Sequence, residues 1–90
     1  MFKRIKAIFS GTVQGVGFRA SAQRLAQDFV IDGTVRNLPN GSVEILAEGE
    51  QGQLQDFIST LQESHLSVYI RTVTMDWDQG RREFSGFRII

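Results

Sequence analysis

The dipeptide Asn40-Gly41 constrains this chain more than any other feature. It lies between two strand-like runs, Thr34 to Asn37 and Ser42 to Ala47, and follows Leu38-Pro39. Asn and Gly tolerate the positive φ that tight hairpin turns require, so the two runs are expected to pair antiparallel. Pro39 has no N–H to give to a ladder and fits beside a turn, not within a central strand. A doubly wound parallel sheet, which needs a crossover between consecutive strands, is thereby set aside.

The other segments arrange themselves around that hairpin. Phe2 to Val13 alternates, with Ile5, Ala7 and Phe9 on one face and Arg4, Lys6, Ile8 and Ser10 on the other. From Phe18 to about Phe29 the period becomes helical, with Ala22, Leu25, Ala26 and Phe29 on one side and Asp32-Gly33 closing the segment. Gly49 to Gly52 predicts a break, and Leu54, Phe57, Ile58 and Leu61 predict a second helix to about Ser64. Val68 to Trp77 reads as a strand with Val73, Met75 and Trp77 on one side. Asp78-Gln79-Gly80 reads as a turn, and Phe84 to Ile90 as a short last strand. This order predicts an α+β fold, a ferredoxin-like βαββαβ sandwich with an antiparallel sheet and two helices on one face. Right-handed crossovers place the first and third strands side by side and bring the end of the first strand near the hairpin. Phe9, Phe18, Phe29, Phe57, Trp77, Phe84 and Phe87 are expected in the core, and residues 1–90 form one domain.

Chemistry is concentrated in Gly11 to Arg19, GTVQGVGFR, between the first strand and the first helix. Glycines at such a junction let several backbone N–H groups point at one spot, and the helix start adds unpaired N–H groups and a positive dipole end. Arg19 adds a planar fork of donors suited to phosphate oxygens. These features predict an anion pocket; the alternative is a glycine-rich turn with a surface arginine. Gly15-Val16-Gly17-Phe18-Arg19-Ala20 also matches a dinucleotide fingerprint, which the antiparallel hairpin contradicts. The chain has no cysteine and one histidine, His65, read as a surface residue near a helix end. A thiolate nucleophile, a histidine-based triad and a multi-histidine metal site are therefore set aside. Ser10, Ser21 and Ser42 have no histidine base in sequence reach, and Asp28, Asp32, Glu44, Glu48 and Glu50 read as solvated charges. Ten basic and ten acidic residues balance, which argues against nucleic acid or a membrane surface as a partner. Asn37, ending the second strand, reads by itself as a turn cap.

GTVQGVGFR and the segment Gly33 to Val43, GTVRNLPNGSV, together resemble the acylphosphatase family. The first matches the family's G-x-V-Q-G-V-G-F-R at every fixed position and the second matches G-x-V-R-N-x-x-x-G-x-V. The tail Phe84-Ser85-Gly86-Phe87-Arg88-Ile89 is similar to the family's usual ending. The resemblance runs through essentially the whole chain. Two positions depart from it: Thr34 and Ala20 stand where the family often has aromatics. The resemblance implies a small enzyme without metal or cofactor that hydrolyses acyl phosphates to a carboxylate and inorganic phosphate. It implies that Arg19 binds the phosphoryl group, that Asn37 orients the attacking water, and that the amides of Gln14, Gly15, Val16, Gly17, Phe18 and Arg19 cradle the phosphate. A cytoplasmic monomer is expected. The competing reading is a module that binds a phosphorylated ligand through the same loop without turning it over.

Overall fold

The computed structural model describes Met1–Ile90. Its elements are β1 (Phe2–Gly11), α1 (Phe18–Ala26), β2 (Ile31–Asn37), β3 (Val43–Glu50), α2 (Gln51–Glu63), β4 (Ile70–Gln79) and β5 (Phe87–Ile89), with a short 3-10 turn at His65–Tyr69. The sheet order is β4-β1-β3-β2-β5. The two central strands are thus β1 and β3, as the crossover rule requires for a ferredoxin-like sandwich. One helix-facing row of β1, Ile5, Ala7 and Phe9, pairs with Ala47, Ile45 and Val43 of β3, and all six residues are fully buried. Onto this row α2 lays Leu54, Phe57, Ile58 and Leu61, and α1 lays Phe18, Ala22 and Ala26. Phe57 is flanked edge-on by Phe29 and Phe87, at 5.8 and 5.5 Å between ring centres.

The structure departs from the sequence reading in several places, each with a physical cause. The hairpin forms, but only Gly41 takes a positive φ, of 93°. Asn40 contributes its side chain instead, accepting from Ser42 N–H at 3.0 Å. Gly33 and Gly49 are strand residues, not breaks: a Cβ at either would press on the neighbouring strand. With Gly49 paired, β3 runs directly into α2. α1 stops at Ala26, and Gln27, Asp28 and Phe29 continue in a tighter turn with bonds to the third residue back. Trp77 is not core. It shares the helix-facing side with Ile5 and borders a hollow with Gln55, Ile58, Ser59 and Gln62 of α2, yet β4 is an edge strand and Trp77 remains 39% exposed.

The sheet is mixed and not purely antiparallel, because β5 runs parallel to β2. The reason is the path from one edge to the other. β4 ends at the end of the sheet where β1 and β2 begin, and the chain crosses there to the far edge before entering β5. Four strand spacings make about 19 Å. Residues 80–86 can span about 23 Å only when extended, and this segment has no helix or strand. Its anchors form a row across three strands: Arg4 of β1, Glu48 of β3 and Asp32 of β2, which are register partners. Arg4 reaches Glu83, Gly86 N–H reaches Asp32 at 2.8 Å, and Phe84 lies under the Arg4 guanidinium at 5.0 Å, outside the core. Glu48 accepts from the N–H groups of Arg81 and Glu83 and from Arg4 Nε. Both N–H groups can face it because Arg82 between them takes a φ of 53°. Such a left-handed residue costs about 1 kcal/mol, which these bonds offset.

Glu48 is 2% exposed, and Glu44, paired with Arg36 at 2.9 Å, is 7% exposed, so neither is a solvated charge. Burial opposes the charge of Glu48. The Arg81 and Glu83 N–H groups and the Arg4 guanidinium outweigh that, and hold its carboxyl below the ordinary 4.5. A depressed folded-state value stabilises the fold above the unfolded value, and that contribution disappears as pH falls through the folded one. Glu48→Gln is expected to lose roughly 3 kcal/mol near neutral pH, the scale of a broken buried ion pair. The difference from wild type should shrink below about pH 4.5 as the wild-type carboxylate protonates. Urea unfolding of both proteins across that range checks this, and a difference that holds constant or grows in acid would contradict it.

Candidate active site

The loop after β1 is pinned at both ends. Thr12 N–H donates to Tyr69 O at 2.9 Å, Val13 is fully buried, and Val16 packs against the core. Between these anchors Gly15 and Gly17 take φ values of 78° and 77°, left-handed conformations that only glycine adopts at little cost. Phe18 then turns into the core, its ring 5.0 Å from that of Phe9, and starts α1. Its neighbour Arg19 is consequently turned outward and exposed. The helix N-terminus has no side-chain cap and no acidic residue in its first turn. The first intrahelical bond is Ser21 N–H to Gly17 O at 3.0 Å, and the N–H groups from Gln14 to Ala20 donate to no protein acceptor. A run of free donors at a positive dipole end suits an anion.

Asn37 arrives from β2. It is the last residue of the strand, opposite Val43, and is exposed. β1 and β2 are each antiparallel to β3, so both end at the same end of the sheet. There Asn37 meets the loop across a cavity of about 220 Å3 lined by Val13, Gly15, Gly17, Phe18, Arg19, Ala20, Asn37 and Ile89. Arg19 takes part in none of the ion pairs of the fold, whereas Arg4, Arg36 and Arg81 do. Gln14 and Val16 are not on the cavity wall: Val16 leans inward, and the Gln14 side chain turns toward the β2–β3 hairpin. Sequence reading missed Ile89. Its place depends on β5 lying parallel beside β2, with Ile89 opposite Val35, and no local signal announces that pairing.

One serine does have a histidine within reach. Ser21 Oγ lies 3.3 Å from His65 Nε2, although the two are far apart in the chain. Ser21 is buried and off the cavity wall, and no carboxylate orients the ring, so this bond fastens α1 to the 3-10 turn. A larger hollow of about 500 Å3 lies at the opposite end of the sheet and includes Asp32, Glu48 and Glu50. Those acids already hold Gly86 N–H, the crossing segment and the N-terminal ammonium. The run of free backbone N–H groups from Gln14 to Ala20 lies at the Arg19 end.

The family model described as Acylphosphatase matches residues 5–89. A protein named Acylphosphatase from Methanospirillum hungatei JF-1 is 43% identical over 88 residues, spanning 97% of this chain and 92% of its own length. Another of that name from Salinibacter ruber is 39% identical over 87 residues, with the same coverage of each. The crystal structure of acylphosphatase from Bacillus subtilis aligns with a TM-score of 0.89 at 31% identity, over 98% of both chains. A glycine loop, an unpaired arginine and a strand-end asparagine around one cavity, in a chain with these relatives along its length, identify it as a member of the acylphosphatase family.

Proposed function

We propose that residues 1–90 form one acylphosphatase domain in which Arg19 and the loop amides hold the phosphoryl group and Asn37 positions the attacking water. The observation that carries this reading is the meeting of an unpaired arginine, free N–H groups and Asn37 on one cavity wall. The reaction is hydrolysis of an acyl phosphate to a carboxylate and inorganic phosphate. An acyl phosphate is a mixed anhydride, and its carboxylate leaves without help from a strong acid. Charge in the loose transition state is spread over the phosphoryl oxygens, so positioning and fixed donors supply most of the catalysis. The amides from Gln14 to Arg19 and the Arg19 fork meet those oxygens. The Asn37 amide both donates and accepts, and can hold a water in line with the bond to the leaving carboxylate. Water oxygen bonds to phosphorus, the bond from phosphorus to the acyl oxygen breaks, and the water's proton passes to a phosphoryl oxygen. A cytoplasmic monomer acting on a small molecule, with no nucleic-acid partner, belongs to the same proposal. The zero net charge supports its last part.

Three outcomes test the assignment with a model acyl phosphate. Arg19→Ala should lower kcat/KM by at least about a hundredfold, the scale for a lost transition-state donor. Arg19→Lys should also be poor, because an ammonium cannot reproduce the fork. Near wild-type turnover in a folded Arg19→Ala protein would refute the role. Asn37→Ala should lose a comparable factor in kcat yet bind inorganic phosphate with similar affinity, because its amide acts on the nucleophile. Calorimetric titration with phosphate checks that split, and equal loss of binding in the Asn37 and Arg19 variants would contradict it. The cavity wall carries no carboxylate, imidazole or thiol, so chelator is expected to leave turnover unchanged. Activity lost in chelator and restored by a divalent ion would show that a metal takes part.

A further inference from the structure

Arg19 and Asn37 sit on different elements, and hydrogen bonds join their two supports through one side chain. Gln14 Nε2 donates to Leu38 O at 2.8 Å and to Ser42 O at 2.9 Å. Both acceptors are carbonyl oxygens, so the amide group facing them must be the NH2 end, and both its hydrogens are used. The acceptors bracket the hairpin: Leu38 follows Asn37, and Leu38 N–H itself donates to Ser42 O at 2.8 Å. Gly41 N–H also donates to Leu38 O, at 3.1 Å. Each of the two carbonyls thus accepts twice, once within the hairpin and once from Gln14. No other hydrogen bond links residues 12–20 with residues 37–42. Gln14 is half-buried, and its backbone stands directly before Gly15 of the cradle.

Resting on the reading above, we propose that the Gln14 side chain is a positioning residue. It sets the distance between the phosphoryl cradle and Asn37, and so the alignment of water and phosphorus. The geometry assigns it no contact with substrate, since the side chain points at the hairpin and lies off the cavity wall. Its backbone N–H remains available to the cradle whatever the side chain. Misplacement by about 1 Å between reacting groups can cost on the order of a hundredfold in rate, whereas the affinity of the cradle for phosphate depends on groups this side chain does not hold.

Two variants and one double variant test it. Gln14→Leu keeps the bulk and removes both donors; Gln14→Glu keeps the shape and turns an acceptor toward two carbonyls. Both should lower kcat by roughly ten- to a hundredfold and leave the dissociation constant of inorganic phosphate within about threefold, because ground-state contacts are spared. If Gln14 acts through Asn37, adding Gln14→Leu to Asn37→Ala should cost less than about twofold more in kcat, a strongly non-additive cycle. Losses that multiply, or full kcat in a Gln14→Leu protein folded by circular dichroism, would overturn the proposal. A readout independent of turnover is the side-chain amide resonance of Asn37 in phosphate-free protein. It should shift in both Gln14 variants, and an unmoved resonance would also overturn the proposal. Failure of the wild-type protein to hydrolyse an acyl phosphate would instead strike at the enzymatic reading, and the Asn37 resonance would still judge the tether.

Discussion

The site depends on one topological constraint: β3 stands between β1 and β2 and is antiparallel to both. Two strands antiparallel to the same neighbour are parallel to each other, so β1 and β2 deliver their C-terminal ends to one end of the sheet. The glycine loop leaves one of these ends and Asn37 closes the other. No long-range flexibility is needed to bring the groups together, since the fully buried row of Ile5, Ala7 and Phe9 against Ala47, Ile45 and Val43 holds the register. A slip of one residue would turn that row out to the open face, so the packing that stabilises the fold also fixes the site.

Charge is distributed with the same division of labour. Arg4, Arg36 and Arg81 are neutralised locally by Glu48 and Glu83, Glu44, and Asp78. At the loop the balance is left open. Arg19 has no carboxylate partner, and the N-terminus of α1 has neither cap nor acid. Unmade backbone bonds are expensive when buried but cheap when water can reach them. Gly15, Gly17, Arg19 and Ala20 are exposed, so the unmade bonds cost the fold little while the donors stay available. A zero net charge at the level of the chain is thus compatible with one strongly anion-seeking end.

What could be read from the sequence was whatever local chemistry dictates. The helix and strand periods, the hairpin at Asn40-Gly41 and the need for glycine at positions 15 and 17 are properties of neighbouring residues. What could not be read depended on partners distant in the chain. Glu48 looks like any strand carboxylate until the segment from Gly80 to Gly86 is seen crossing above it. Trp77 has core spacing, yet it sits on an edge strand, open on one side, and stays partly exposed. Gly33 and Gly49 look like punctuation because the close approach that demands them comes from neighbouring strands. Ile89 reaches the cavity wall only because β5 runs back along β2.

That last residue ties the two ends of the molecule together. The row Arg4, Glu48 and Asp32 lies at the opposite end of the sheet from Arg19, and its chemistry is structural. It nevertheless fixes where the crossing segment meets the far edge, since Gly86 N–H is held by Asp32 and Gly33 N–H donates to Gly86 O. Those bonds determine the register in which Phe87 and Ile89 pair with Gly33 and Val35. Phe87 then seals the core against Phe57, and two residues later, on the same face, Ile89 forms part of the wall facing Arg19 and Asn37. A three-residue edge strand has too few ladder bonds to choose its own register. The choice is made by the acids that hold the crossing segment, so carboxylates remote from the glycine loop shape the cavity through backbone geometry alone.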